Sequence, residues 1–448
     1  MRVVVIGAGK LGFSVAELLS KEDFEVILID REESRLEAAR NTLDVLTVAA
    51  NGASPITMDD PDIHAADILI AVTASDEVNM VACILAKKHG VTHTVARIRD
   101  MQFISEAREY LKKNFDIDLM LNPELITANE IRRILMTPAA LDVEDFASGK
   151  VRLFETKVAL HSPLANVPLK DLEMPKGILA GMISRDHRMI IPHGDDCLLP
   201  GDNAYFIGDT KGIERFSRNF VQRDARKLRR AMVIGAGRTG RFLAPMLEAE
   251  GVSVKVIEQN PERCRLVAEK LKEGLAICGD ATDMDLLTEE GVADADVVVC
   301  ITEDDKLNLM LALLAKHLGA RKTVVRVARS EYVDLMEKVG VDIVLSARLL
   351  SAAEALAFCR RGGVVSVALL EGAKAEAVEV IVQEGAQVAN VPLMRANLPR
   401  ECLVCAYVRD GEAKIPDGTA VLMPGDRAIL FIQTKYTQAV MKCFKGRA

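Results

Sequence analysis

Short apolar runs alternate with amphipathic segments over the first third of the chain. The amphipathic segments predict helices over Leu11–Ser20 and Glu32–Arg40. The apolar runs have the length of strands and lie at Val3–Gly7, Glu25–Asp30, Ile68–Thr73 and Thr94–Arg97. Strands that alternate with helices in this way are typical of a doubly wound parallel sheet.

A different pattern begins near residue 145, where short strands are separated by turn signals such as Pro192–Gly194 and Pro200–Asp202. This change predicts a small β-rich lobe after the parallel sheet. Between the two lies Asn122–Leu135, whose apolar positions Ala128, Ile131 and Leu135 follow i, i+3, i+7 spacing and predict a helix. That helix either belongs to the core or packs against a second subunit.

The whole pattern occurs twice. The stretch V-I-G-A-G-K-L-G at Val5–Gly12 returns 228 residues later as V-I-G-A-G-R-T-G at Val233–Gly240. At the same offset, N-G-A-S from Asn51 aligns with Gly279–Thr282. The counterpart of the predicted helix is Ser346–Arg360, with its apolar spacing at Leu350, Ala353 and Ala357. The chain is therefore a duplication of one long unit.

The duplication predicts an α/β protein with two tandem Rossmann-like, doubly wound parallel-sheet domains, each followed by a small α+β lobe. A basic segment, R-D-A-R-K-L-R-R, joins the halves; it is either solvated or docks to a membrane surface or partner. The predicted segments are a first Rossmann-like lobe with its crossover helix (1–135), a small lobe (136–222), the basic linker (223–230), a second Rossmann-like lobe with crossover helix (231–360) and a second small lobe (361–448).

Both repeated loops have the spacing G-x-G-x-x-G, and each lies between a predicted strand and a predicted helix. In this motif the first glycine makes a tight turn, the second lets the backbone approach a phosphate, and the third lets helix and strand pack closely. The free N–H groups of the helix N-terminus then face the anion. We predict two nucleotide sites on these glycines, and the alternative is that the glycines serve packing alone. They are Gly7, Gly9 and Gly12 in the first loop and Gly235, Gly237 and Gly240 in the second.

An acidic residue ends the next predicted strand in both halves. Asp30 and Glu258 each lie 18 residues after the third glycine of their loop. At this distance a carboxylate accepts hydrogen bonds from the ribose hydroxyls of adenosine. The same negative charge repels a 2′-phosphate, so NAD(H) or a simple adenine nucleotide is favoured over NADP(H).

Further candidate residues occupy matching positions in the two halves. Lys10 and Arg238 follow the second glycine, where a basic side chain reaches a bound phosphate, reaches a phosphate in a neighbouring subunit, or stays in solvent. Asn51 and Asp280 follow the third strand and differ in charge, so the two sites are expected to prefer different nucleotides. The other candidates lie at helix starts or after later strands: Leu11, Thr239, Thr73, Thr302 and Arg97.

Composition limits the classes of function. A net charge of −8, an aromatic content of 4% and the absence of Trp argue against a nucleic-acid binder. No apolar run approaches the roughly 20 residues of a spanning helix, and no secretory signal opens the chain. Nine dispersed cysteines suit a reducing cytosol, and the single C-x-x-C, Cys402 to Cys405, lies in a predicted strand, so no metal site is predicted.

The sequence favours a sensor, a protein that binds a nucleotide without catalysing a reaction, over an enzyme. A dehydrogenase needs a domain that places a substrate and an acid or base beside the nicotinamide. Neither small lobe offers such residues, so we predict no catalytic residue. Two alternatives stay open, a soluble NAD-dependent oxidoreductase with a degenerate second half and a purely structural assembly protein.

The repeated order of motifs, from the glycine loop through Asp30, N-G-A-S and the helix from Pro123 to the closing I-P and P-G-D turns, resembles the regulator of potassium conductance (RCK, or KTN) domain pair. A full-length tandem is similar to regulatory subunits of Trk potassium-uptake systems. The resemblance implies that both glycine-loop sites bind NAD(H), ATP or ADP, with Glu258 replacing the more usual aspartate. It also implies a homo-oligomer, a dimer or a tetrameric ring, on the cytoplasmic face of the membrane. That ring would gate a Trk-type potassium-translocating subunit through hinge motion.

Overall fold

The structure is a computed structural model that describes the chain except for residues 23, 106–113, 137–141, 148, 173, 176, 186–187, 218–227, 360–363, 371–374 and 447–448. Its residues group into two compact units, each built from two separate stretches of chain. Unit 1 comprises Met1–Arg132 and Leu228–Leu356, and unit 2 comprises Arg133–Lys227 and Ala357–Ala448. Each unit therefore contains one lobe from each repeat.

The first repeat begins with a six-stranded parallel sheet in unit 1, with strand order β3-β2-β1-β4-β5-β6. Its strands are β1 (Arg2–Ile6), β2 (Glu25–Asp30), β3 (Leu46–Ala49), β4 (Ile68–Ala71), β5 (His93–Arg97) and β6 (Leu119–Leu121). The helices are α1 (Lys10–Ser20), α2 (Glu33–Thr42), α3 (Pro55–Met58), α4 (Pro61–His64), α5 (Asp76–Lys88), α6 (Met101–Ser105) and α7 (Pro123–Met136). The predicted doubly wound sheet is confirmed.

The first repeat ends with a five-stranded sheet in unit 2, with order β10-β9-β11-β8-β7 and antiparallel neighbours. Its strands are β7 (Asp142–Phe146), β8 (Val151–Lys157), β9 (Ile178–Arg185), β10 (Arg188–Ile190) and β11 (Asn203–Asp209), followed by α8 (Thr210–Phe216). A short 3₁₀ turn spans Leu169–Asp171.

The second repeat has the same order of elements. Its parallel sheet, β14-β13-β12-β15-β16-β17, consists of β12 (Arg230–Ile234), β13 (Ser253–Glu258), β14 (Leu275–Cys278), β15 (Val297–Cys300), β16 (Thr323–Val327) and β17 (Ile343–Ser346). The helices are α9 (Arg238–Ala249), α10 (Pro261–Ala268), α11 (Met284–Glu289), α12 (Asp305–His317), α13 (Val333–Lys338) and α14 (Ala347–Cys359), with 3₁₀ turns at Val292–Asp294 and Ser330–Tyr332.

Its antiparallel sheet in unit 2 has the order β18-β19-β22-β20-β21. The strands are β18 (Val364–Leu370), β19 (Ala375–Ile381), β20 (Cys402–Arg409), β21 (Glu412–Lys414) and β22 (Arg427–Gln433), followed by α15 (Thr437–Phe444). The 3₁₀ turns are Leu393–Arg395 and Thr434–Tyr436. The predicted small α+β lobes are confirmed.

The central strands of each parallel sheet are covered on both faces, which explains their continuous apolar sequences. Val3, Val4 and Val5 in β1 are fully buried, and so are Val298 and Val299 in β15. In both sheets the second and third strands extend to one side of the first strand, and the fourth strand begins the extension to the other side. In open α/β sheets this switch point is where ligands bind, beyond the carboxyl ends of the strands.

The two antiparallel sheets of unit 2 share one apolar core, which contains Leu153 and Tyr205 of the first repeat and Ile429 and Phe431 of the second. A polar contact also joins the repeats. The backbone N–H of Ala147 donates to the buried carboxylate of Glu379 over 2.9 Å. Because the core and this hydrogen bond need both repeats, we expect unit 2 to unfold cooperatively.

The apolar positions predicted on the two crossover helices, α7 and α14, differ in their burial. α7 buries the predicted Ala128, Ile131 and Leu135, so it is a core helix at these positions. In α14 the corresponding positions Leu350, Ala353 and Ala357 are only half-buried. Ser351, Ala352 and Ala355 are fully buried instead. Core packing is therefore wrong for the three stripe positions of α14, and a contact with a second subunit stays a prediction.

The repeat alignment also needs one correction. Strand pairing places Ala49 beside Asp30 and Cys278 beside Glu258, so the offset is already 229 at the third strand. Asn51 therefore corresponds to Asp280 and not to Gly279. Residues 223–227 of the predicted basic linker lie outside the described residues, and Arg230 begins β12.

The shared core of unit 2 predicts that Gly181 cannot carry a side chain. A Cβ at Gly181 would lie 2.2 Å from the ring of Phe431, which is fully buried. We expect Gly181→Ala to lower the free energy of unfolding by about 1–3 kcal/mol, the usual cost of overpacking. Thermal unfolding of the full chain measures the change. The matched control is Gly194→Ala at an exposed turn; equal stability of the two variants would contradict the shared core.

Candidate nucleotide-binding sites

Each glycine loop leaves the first strand of its sheet at the switch point. Gly7 has φ +102° and Gly235 has φ +109°, a backbone conformation that favours glycine. A Cβ on Gly12 would lie 1.7 Å from the carbonyl oxygen of Gly7, whereas a Cβ on Gly9 would meet nothing within 4 Å. Gly7 and Gly12 therefore shape the loop, and Gly9 leaves open space beside it.

The glycines of the second loop have the same separate roles. A Cβ on Gly240 would lie 2.1 Å from the carbonyl oxygen of Gly235, and one on Gly237 would meet nothing within 4 Å. Gly9 and Gly237 are also the residues that precede α1 and α9, and neither helix start receives a hydrogen bond from a capping side chain. Both helix starts can therefore bind an anion through their backbone N–H groups.

The two acidic candidates hold their glycine loops in the same way. Asp30 accepts from the backbone N–H of Ala8 over 2.6 Å and from that of Glu32 over 2.9 Å. Glu258 accepts from Ala236 over 2.7 Å and from Asn260 over 2.9 Å. The longer side chain of Glu258 thus reproduces the contacts of the aspartate. Each carboxylate oxygen keeps a second lone pair that a ribose hydroxyl can use.

Two asparagines that we had not assigned to the sites fix the ends of the fourth and fifth strands. Asn79 is fully buried; its side-chain oxygen accepts from Thr73 N–H (2.8 Å) and hydroxyl (2.7 Å), and its amide donates to the Arg97 carbonyl (2.8 Å). Asn308 makes the same three contacts in the second repeat. Their recurrence in the aligned repeats was the signal in the sequence. Because Asn79 already uses the Thr73 hydroxyl, this threonine mainly contributes shape to the site.

The first loop opens into a cavity of about 560 Å³, within the range of sites for small ligands. Of the first-repeat candidates only Gly12, which packs against the loop, does not line it. The candidates that line it are Gly7, Gly9, Lys10, Leu11, Asp30, Asn51, Thr73 and Arg97. The second repeat contributes to the same cavity through Arg326, Ala328, Ala347, Arg348 and Ser351. The first site is therefore built from both repeats.

The second loop faces a smaller cavity of about 210 Å³. Among the described residues, its lining comes from the second repeat alone and includes the candidates Gly235, Gly237, Glu258, Asp280 and Thr302. Arg238, Thr239 and Gly240 do not line it. The guanidinium of Arg238 instead lies 3.9 Å from the carboxylate of Glu124, which lines the first cavity.

Several arginine side chains line the first cavity together with Glu124. Arg99 donates to one oxygen of Glu124 through Nε (2.9 Å) and Nη2 (2.6 Å), and the other oxygen is buried without a partner. The Nε atoms of Arg97, Arg326 and Arg348 are buried and unpartnered as well. Burial, and secondly the charge of Arg99, lower the pKa of Arg97. Sequence reasoning missed Glu124 and Arg348, because their convergence depends on how the two repeats pack.

Comparisons with known proteins identify the family of this chain. The TrkA-N domain model matches residues 3–123 and 231–347, and the TrkA-C domain model matches residues 153–221 and 377–445. The chain belongs to the TrkA family. A "Trk system potassium uptake protein TrkA homolog 1" of Methanosarcina mazei is 36% identical over 99% of this chain and 100% of its own length. The Halomonas elongata "Trk system potassium uptake protein TrkA" is 34% identical over 97% of this chain and 96% of its own length.

Solved structures show the same fold. The GsuK channel bound to NAD matches 99% of this TrkA-family chain and 78% of its own chain with a TM-score of 0.63 at 16% identity. At this identity the match speaks for the fold only. Within the described residues, no helix combines the length and the apolar sequence required to cross a membrane.

The different roles of Gly9 and Gly12 predict opposite outcomes for the same substitution. Gly12→Ser forces a Cβ onto a backbone carbonyl, so we expect a loss of stability of about 1–3 kcal/mol. Gly9→Ser meets no atom and keeps a residue suited to precede a helix, so we expect stability to change by less than about 0.5 kcal/mol. Thermal unfolding and nucleotide binding separate the two. A Gly12→Ser chain as stable as wild type would contradict this assignment.

Proposed function

We propose that this TrkA-family chain is a regulatory subunit of a potassium-uptake system that binds NAD(H), ATP or ADP through its glycine loops. The observation that carries the proposal is the first cavity, where a glycine loop, a helix N-terminus and Asp30 meet arginines of the second repeat. These groups match the parts of an adenine nucleotide: backbone N–H groups and guanidinium groups suit phosphates, and the carboxylate suits ribose.

Binding without chemistry is the better account of this cavity. Its described polar lining consists of arginines, Lys10, carboxylates, Asn51 and hydroxyl groups, without histidine or cysteine. The carboxylates of Asp30 and Glu124 accept hydrogen bonds from backbone N–H groups and from Arg99. Such groups hold an anion but are poorly placed for proton transfer at a nicotinamide. The oxidoreductase alternative therefore has less support.

The potassium-translocating partner follows from the names of the relatives, which are potassium uptake proteins. We propose that the chain acts at the cytoplasmic face of the membrane and reaches it through a Trk-type membrane subunit. The linker 223–230 contributes basic residues that would favour such a location.

Regulation would arise from the position of the first site between two repeats. A nucleotide that contacts Lys10 and Arg348 together interacts with both Rossmann-like lobes of unit 1. It would therefore favour the arrangement in which both lobes reach it, and shift the population toward that state. Two nucleotides drive different states only if their phosphates contact these side chains differently.

Apolar side chains on the surface of unit 1 support a homo-oligomer. Val81 on α5 and Met310 on α12 occupy equivalent positions in the repeats and are 45% and 49% exposed. Leu313, one turn further along α12, is 38% exposed. Helices that present related apolar patches suit a self-complementary contact between copies of the chain.

Calorimetric titration of the full chain with NADH, NAD, ATP and ADP tests the nucleotide proposal. We expect binding that Gly9→Asp removes from the first site, because the added carboxylate occupies the phosphate space and repels the anion. Gly237→Asp should act on the second site alone. NADH absorbance should stay constant during the titration.

The same titration separates the alternatives. Steady consumption of NADH would favour the oxidoreductase. Failure of all four nucleotides to bind would leave a structural assembly protein. Nucleotide binding that neither glycine variant weakens would place the ligand elsewhere.

The apolar patch predicts a change in assembly. We expect the double variant Val81→Asp/Met310→Asp to lower the molecular mass measured by sedimentation equilibrium, because two buried carboxylates would oppose association. Met394→Asp is the matched control, since Met394 is 69% exposed and lies in unit 2. An unchanged mass for the double variant would exclude this surface from the oligomer contact.

A further inference from the structure

Two cysteines of the second repeat lie side by side next to the second cavity. Cys264 is on α10, Cys278 ends β14, and α10 packs against that strand. The two thiols are in contact, since burial and, secondly, the neighbouring thiol of Cys278 raise the pKa of Cys264. Two cysteines on neighbouring, packed elements whose thiols meet in this way are suited to form a disulfide.

The two thiols differ in their access to solvent. Of the nine cysteines, all of which belong to the described residues, only Cys278 is exposed. Cys264 is buried, with 6% of its surface exposed. An oxidant in solution therefore reaches Cys278 first, whereas burial protects Cys264 from direct attack. An accessible thiol beside a second thiol that can displace its oxidised form is typical of redox-sensitive cysteines.

The equivalent positions of the first repeat carry other residues. Leu36 lies 228 residues before Cys264, and Ala49 corresponds to Cys278 through the pairing of the third strand. Leu36 is fully buried, so an apolar side chain without a thiol fills this position of the fold. Packing alone therefore does not explain why the second repeat has two thiols in contact here.

The thiol pair adjoins the lining of the second cavity on two sides. Arg263, which precedes Cys264, lines the cavity, and so do Gly279 and Asp280, which follow Cys278. A disulfide holds its sulfurs about 2 Å apart, whereas atoms in non-bonded contact stay about 3.5–4 Å apart. Because protein interiors are close-packed, closing this gap moves α10 or the end of β14, and the adjoining lining residues move with it.

We propose that Cys264 and Cys278 form a reversible disulfide in the presence of hydrogen peroxide, and that this bond weakens nucleotide binding in the second cavity alone. The effect on binding rests on the proposed nucleotide-binding function, whereas the formation of the bond does not.

The reaction balances with the peroxide as the oxidant. The thiolate of Cys278 attacks one peroxide oxygen, the O–O bond breaks, and the hydroxide that leaves takes up the proton of that thiol, so a sulfenic acid and one water form. The sulfur of Cys264 then attacks the sulfur of Cys278 and forms the S–S bond. The second hydroxide leaves with the proton of Cys264 as water. Two thiols are thus oxidised, and one hydrogen peroxide is reduced to two waters.

A count of free thiols in the denatured full chain tests the bond. One equivalent of hydrogen peroxide should lower the count by two from nine, and dithiothreitol should restore it. Mass spectrometry of unreduced peptides should find Cys264 linked to Cys278. The variant Cys278→Ala carries the residue of the first repeat, so it should fold like wild type but form no disulfide.

The matched control is Cys197→Ala, which removes a half-buried thiol of the first repeat. This variant should still lose two thiols to the peroxide. A wild-type chain that keeps all nine thiols would overturn the inference. A bond from Cys278 to a cysteine other than Cys264, in the same chain or in another copy, would overturn it as well.

Calorimetric titration with NADH and with ADP measures the effect on the second cavity. The Gly9→Asp chain serves here because only its second site is expected to bind. Oxidation should weaken this binding at least about fivefold, the lower end of the usual coupling between two sites, and dithiothreitol should restore it. The Gly237→Asp chain reports on the first site, and its affinity should be equal in both redox states.

The two readouts separate the inference from the proposed function. A disulfide that leaves the affinity of the Gly9→Asp chain unchanged would overturn its effect on the cavity but not nucleotide binding. Equal weakening in both glycine variants would show a general loss of structure and would also overturn that effect. Failure of both reduced chains to bind a nucleotide would overturn the proposed function, and the thiol count would still decide whether the bond forms.

Discussion

The structure depends on one electrostatic constraint, the convergence of several guanidinium groups on the cavity of unit 1 that Glu124 also lines. Arg99 and Arg238 approach Glu124, and Arg97, Arg326 and Arg348 each keep a buried Nε without an acceptor. Charges of one sign at low solvent exposure repel each other unless an anion joins them. An anion in the cavity would reduce this repulsion, and it would contact both repeats at once.

Duplication explains how this arrangement arose in one chain. The residues that shape each site are the same in the two repeats, including the glycines and the asparagines Asn79 and Asn308. Residues that line the two cavities have diverged, as Asn51 and Asp280 show. The backbone of one ancestral glycine loop has thus been kept twice, while the charge around it has changed.

Much of this could be read from the sequence. The order of strands and helices follows from apolar runs that are buried on both faces, and the role of Gly12 follows from the motif itself. Interactions between repeats could not be read in this way. The position of Arg238 after Gly237 predicts a basic side chain near a phosphate but not which repeat it faces, and its guanidinium lies beside Glu124 of the first repeat. The positions that α14 buries in the core also differ from its predicted stripe, because an almost uniformly apolar helix carries no periodic signal.

We propose that a nucleotide held by the first glycine loop is also bound by the second repeat. The decisive measurement is a structure of the full chain determined with saturating ATP. We expect phosphate oxygens about 3 Å from both the N–H groups that begin α1 and the guanidinium of Arg348. ATP seated on the first loop with Arg348 still bound to Glu331, or ATP found in the second cavity alone, would contradict it.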